Sequence, residues 1–235
     1  MSWPGEGVRE RSEYSILHRP IMVILYFTGG QDPFLEDGIA ITSRALREAG
    51  DRPRVLVLVW GLPRDRAGCK AKQTVSALRD LGAEAETAWP EEEEEALRRK
   101  VAAADMVFLA DGDARTMRRH FRASGMKALL QGYEGVLFGD GMGGAMMCRL
   151  VLLPPDEYSS TYNMIIGLNL VDFGVVPRYR REMDPYVVES SAGRTVFGIT
   201  EGSALMYGAG ILSHQGVVHM FKQGKRTILT DRKAF

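Results

Sequence analysis

The chain has 235 residues, 45% hydrophobic and 26% charged, the balance of a soluble globular protein with one domain, or one domain and a small appendage. Thirty basic side chains offset thirty acidic ones, which argues against a nucleic-acid partner, and the longest apolar runs are too short to span a bilayer, so no membrane partner is expected. Two cysteines far apart in sequence, Cys69 and Cys148, exclude a disulfide framework and fit a reducing compartment.

Residues 1–19 carry mixed charge without period and without the apolar core of a secretory signal. They read as a tail ahead of a single α/β domain over 20–235, and a cytoplasmic location is expected. Residues 21–27 form an unbroken apolar, β-rich run, as a strand buried on both faces of a parallel sheet requires, and Thr28-Gly29-Gly30 ends it. A helix is expected over 35–49 and a second buried strand over 54–60. An amphipathic helix over 70–81, a short strand over 84–88 and a helix over 91–104 follow. The five glutamates that open the last of these suit a helix N-terminus and a solvated face. Residues 106–110 read as a strand, 114–131 as one helix and 135–138 as the next strand. Strands alternating with helices argue a three-layer αβα fold with a mostly parallel sheet. Beyond about residue 150, glycines and short β-like runs (196–199, 204–207, 217–222) read as a β-rich completion of that sheet, with Gln215-Gly216 as a hairpin turn.

Three glycine-bearing loops reach the carboxyl edge of the sheet, where ligands of open α/β folds bind: Thr28-Gly29-Gly30, 110–114 and 139–144. The last has the layout of a nucleophile elbow, G-x-S-x-G, with Gly139 two before the apex and Gly143 two after. The apex is Gly141, which has no side chain to form an acyl-enzyme. Gly139, Gly141 and Gly144 also fit G-x-G-x-x-G, but on a late strand and with Leu-Pro-Pro downstream instead of the acidic ribose partner. No Walker A loop and no zinc spacing occur, so neither cofactor nor metal is expected.

Four stretches resemble peptidase E (aspartyl dipeptidase) and the related cyanophycinases: FLADGDARTMRRHF, GDGMGGAMMC, GLNLVDFGVVPRY and FGITEGSALM, together within residues 106–207. They are similar, in order, to the family's Gly-Gly-Asn-Thr turn, its G-x-S-A-G-A elbow, its Pro-His-Tyr segment and a later strand bearing a glutamate. The resemblance implies a class I glutamine-amidotransferase-like fold and a Ser-His-Asp type triad. It puts the serine on Gly141; a one-residue shift would put it on Met142, but only Gly141 lets Gly139 and Gly143 both match. The histidine falls on Arg178 and the acid on Asp156, with Glu157 beside it; the oxyanion-hole amides would be those of Gly112 and Met142. Arginine stays protonated and cannot serve as a general base near neutrality, so two of the three triad roles are lost.

The expectation is a family member without serine-peptidase activity that keeps a small pocket of Gly112, Asp113, Gly141, Met142, Asp156 and Arg178, with Glu157 and Glu201 at its edge. A carboxylate or small acidic peptide would suit it, with Arg178 paired to Asp156. The alternatives are hydrolysis through a water activated by Asp156 or Glu157, and an interaction role in which the resemblance supports a homodimer. Cys148 reads as core, Cys69 as a loop residue, His120 as solvated, His214 and His219 as unable to share a metal, and Ser190-Ser191-Ala192-Gly193 as a loop. The run from Arg178 to Arg181 is either solvated surface or an anion-binding rim.

Overall fold

The unbroken apolar runs of the first half become parallel strands, because only a strand covered on both faces can bury every side chain. The structure is a computed structural model that describes residues 23–30, 32–155 and 161–230. Strands β1 (Ile24–Thr28), β2 (Arg54–Leu58), β3 (Glu84–Thr87), β4 (Met106–Leu109) and β5 (Val136–Gly139) pair in parallel in the spatial order β1-β5-β4-β2-β3. Alternation along each strand divides the core in two. Tyr26, Val57, Phe108 and Phe138 face Ile41 and Leu46 of helix α1 (Glu36–Ala49) and Leu78 of α2 (Arg64–Asp80). Phe27, Leu58, Leu109 and Leu137 face α3 (Glu94–Ala103), α4 (Ala114–Ala123), α5 (Met126–Gln131) and α6 (Met142–Met147) through Leu97, Phe121, Leu130 and Ala145. The result is the expected three-layer α/β architecture.

The second half departs from the expected completion of one sheet. Strands β6 (Leu150–Leu153) and β7 (Asn163–Ile166) form an antiparallel pair. After β8 (Gly174–Val176) and α7 (Asp184–Ser190) come β9 (Thr195–Ile199), β10 (Ala204–Gly208), β11 (Ile211–Gln215), β12 (Val218–Lys222) and β13 (Lys225–Leu229). Only β10 and β11 extend the central sheet, antiparallel beyond β1, giving it seven strands among the described residues. Strands β8, β9, β12 and β13 build a separate sheet. Gln215-Gly216 is therefore a crossing between sheets and not a hairpin turn. The hairpins close instead at Ala209-Gly210 (φ 56° and 74°) and Gln223-Gly224 (φ 51° and 73°), where two successive positive φ values match the right-handed twist of the flanking strands.

The helix expected over 114–131 is two helices, because Gly125 enters the left-handed region at φ 69° and restarts the chain as α5. Cys69 is exposed on α2, which begins at Arg64, ahead of the expected start at residue 70, and so does not lie in a loop. His120 is half-buried, its Nδ1 2.9 Å from the Trp60 carbonyl, and not on a solvated face. His214 lies on β11 and His219 on β12, in different sheets. Cys148 is fully buried and its thiol is pushed well above the ordinary range by that burial, as a packing residue should be. Ser190 ends α7 and Ser191 caps it, ahead of the turn at Gly193. No helix among the described residues is long and apolar enough to cross a membrane.

Candidate functional site at the elbow

Strands β1, β5 and β4 are neighbours, so the loops that leave their carboxyl ends meet. The turn from β5 into α6 is unusually tight. A Cβ on Gly139 would lie 2.2 Å from the Gly144 Cα, and one on Gly143 would lie 2.2 Å from the Leu109 carbonyl oxygen. Both positions therefore demand glycine. Gly141 sits at the apex with φ 51° and ψ −118°, a conformation that side chains rarely adopt outside strained functional turns. Met142 is already the first residue of α6.

Thr28, at the end of β1, fastens this turn. Its hydroxyl donates to Asp140 Oδ1 at 2.9 Å and accepts the Gly141 N–H at 3.3 Å and the Gly30 N–H at 3.4 Å. Asp140 is only 4% exposed. Burial, and next the negative charge of Asp111, push its carboxyl up to about 7; the Thr28 hydrogen bond, Lys70 and Arg178 act in the opposite direction.

Asp111, in the loop after β4, ties the elbow to the segment after β8. Its Oδ1 accepts the Met142 N–H at 2.8 Å, and its Oδ2 takes the Arg178 guanidinium. Arg178 comes from the segment after β8. Its backbone holds a left-handed φ of 50° and its N–H donates to the Gly29 carbonyl at 2.8 Å. Its guanidinium lies over Gly30, whose Cβ, if present, would stand 3.2 Å from Arg178 Cζ.

Gly141, Met142 and Arg178 thus converge, with Gly112 nearby, wedged against Gly61 so closely that a Cβ would lie 2.6 Å from the Gly61 carbonyl. Asp113 instead caps α4, accepting the Thr116 N–H at 2.7 Å. Glu201 is exposed on the turn after β9, where its backbone adjoins Gly29. Asp156 and Glu157 lie outside the described residues, and with them the expected Arg178–Asp156 pair. Of the basic run, Arg178 enters the site, Tyr179 is buried, and Arg180 and Arg181 are exposed.

Three residues of this site are not singled out by the sequence: Thr28, Asp111 and Asp140. The signal for them is weak. Each sits in one of the three loops at the sheet edge, but an Asp or Thr beside a glycine is also the ordinary composition of a turn.

The chain is similar to known proteins at the level of fold and family. No curated protein matches the chain in sequence. The crystal structure of a protein from Listeria monocytogenes EGD-e that carries a provisional peptidase E assignment superposes with a TM-score of 0.62 at 16% identity, over 83% of this chain and 98% of that one. At that identity the likeness establishes the fold. The sequence model of peptidase family S51 matches residues 70–212, more than half of the chain and a span that includes the elbow, the Asp111 loop and Arg178. The chain, with a glycine at the apex of its elbow, is a member of peptidase family S51.

Proposed function

We propose that this S51 member has lost the serine-peptidase reaction and uses the elbow and its neighbouring loops to recognise a carboxylate. The observation that carries the reading is the apex itself. The resemblance to peptidase E assigns the serine to Gly141, and Gly141 has the backbone of an elbow without a nucleophile. Arg178, at the position the resemblance assigns to histidine, stays charged and pairs with Asp111 instead of drawing a proton from a hydroxyl. What remains is one backbone N–H and one guanidinium directed at the same carboxylate, a donor set suited to binding an anion. Hydrolysis by an activated water is the weaker reading. Asp140 has a carboxyl near neutrality, as a general base should, but it is buried beneath the turn and engaged by Thr28.

The test is turnover of Asp-X dipeptides and of β-aspartyl-arginine. Wild type is expected to be silent. Gly141→Ser/Arg178→His is expected to show weak turnover at most, because a Cβ at residue 141 would stand 2.6 Å from Asp111 Oδ1, which must swing off the Met142 N–H to admit it. Adding Asp111→Gly vacates that space, and turnover is expected to rise in this triple variant. Turnover by wild type would overturn the proposal.

A further inference from the structure

A peptidase elbow needs open space over its apex, where a substrate carbonyl would sit beside the N–H of the residue after the nucleophile. Here that space is taken. Asp111 Oδ1 lies 2.6 Å from where a Gly141 Cβ would be, and the N–H that follows the apex, that of Met142, already donates to it at 2.8 Å. The second carboxylate oxygen holds the Arg178 guanidinium. Both the Met142 N–H and the Arg178 guanidinium are therefore engaged by one side chain of the same molecule.

We infer that Asp111 is a built-in occupant of the carboxylate site, and that a carboxylate carried by another molecule binds Met142 N–H and Arg178 only by displacing it. The inference rests on the carboxylate-recognition reading and adds the way in which access of the ligand is regulated. Three observations support displacement over a permanent structural tie. The pair is reachable, with 24% of the Asp111 side chain and 43% of the Arg178 side chain exposed. Asp111 holds no donor besides these two among the described residues. Its charge also works against the fold locally, since it is one of the causes that raise the Asp140 carboxyl. A tethered occupant competes at a high effective concentration, so an outside ligand sees only the fraction of molecules in which the tether has swung away.

The experiment titrates sodium acetate, against sodium chloride at equal ionic strength, into wild type, Asp111→Ala, Asp111→Asn and Asp111→Ala/Arg178→Met, read by calorimetry and by the acetate-dependent rise in Tm. Asp111→Ala is expected to bind acetate about tenfold more tightly than wild type or better, and the Arg178→Met change to abolish the gain. Equal affinity in wild type and Asp111→Ala would overturn the inference, as would a gain that survives the loss of Arg178. Should Asp111→Ala fail to fold, Asp111→Asn keeps the shape and drops the charge; a gain in the same direction supports displacement and no gain overturns it. Failure here is distinguishable from failure of the functional reading: turnover by wild type strikes the latter, whereas an absent acetate gain leaves the loss of catalysis standing and removes the displaceable occupant.

Discussion

Arg178 and Tyr179 are consecutive residues that serve two different regions. The Arg178 N–H donates to Gly29 beside the elbow, and the Tyr179 N–H donates to Ile199 in the second sheet. Each side chain then engages an aspartate from elsewhere in the chain. Tyr179 donates to Asp184 Oδ1, while Arg226 holds Asp184 Oδ2 at 2.7 Å. The Tyr179 ring is buried, lies 4.6 Å from the His219 ring and fits only because residue 198 is glycine. That cluster ties α7 to β12 and β13, and its carboxylate is held by side chains packed around one sheet. The Asp111 carboxylate is held differently, by a backbone N–H at a turn apex and by an arginine from a distant segment, above a buried acid that its own charge disturbs. An aspartate paired with an arginine is thus structural or ligand-like according to what else surrounds it. Packed rings around the pair mark the first; a more exposed arginine, a backbone amide at a turn apex and a frustrated neighbour mark the second.

The largest effect expected on this contrast is at the elbow backbone. Gly143→Ala forces a Cβ to within 2.2 Å of the Leu109 carbonyl, which should cost about 3 kcal/mol or more in urea unfolding and abolish any acetate binding in the Asp111→Ala background. A tolerated alanine would mean that the elbow is looser than its geometry indicates.

Asp140 comes next. Its folded carboxyl near 7 stands above the ordinary value of 3.8, so the folded state holds a proton that the unfolded state has released between those two pH values. Its contribution is fully favourable below about pH 4 and is lost as pH rises through about 7, a change on the order of a few kcal/mol. Asp140→Asn keeps an oxygen for Thr28 and removes the charge. It should flatten the stability profile across that window and leave the variant more stable than wild type at about pH 8. A wild-type profile parallel to the variant's would show that Asp140 titrates normally.

A smaller loss is expected for Tyr179→Phe, which removes one hydrogen bond to a charged carboxylate while leaving the ring in place, about 1.5 kcal/mol. Acetate binding by a protein that also carries Asp111→Ala should be unchanged, which separates the two regions; a parallel loss of binding would join them. The smallest effect belongs to Arg180→Ala. The residue is exposed, so stability should stay within about 0.5 kcal/mol and acetate affinity should not move. A large loss of affinity there would shift the anion recognition from Arg178 to the rim.

Much of this molecule is legible along the chain because its causes are local. The apolar runs of β1, β2, β4 and β5 and the glycines of the elbow carry their own explanation: a strand buried on both faces must be apolar throughout, and a turn whose backbones touch must lack Cβ atoms. The helix break at Gly125 and the roles of Ala209-Gly210 and Gln223-Gly224 are less visible, since left-handed backbone at one residue leaves little trace in periodicity. Residues flanking Gln215-Gly216 alternate alike whether their strands share a sheet or part, so the second sheet has no signature in the pattern.

The α/β class, the elbow and the missing side chain at its apex are written in the chain itself, because strand burial, glycine sterics and the identity of residue 141 are properties of short segments. That Asp111 fills the space over the apex, that Arg178 pairs with it, and that Asp140 lies buried beneath emerge only once the chain has folded. The Asp111–Arg178 pair joins residues 67 positions apart, and Thr28 reaches Asp140 across 112. Their distances depend on β1, β4 and β5 lying side by side, an order that no local pattern encodes.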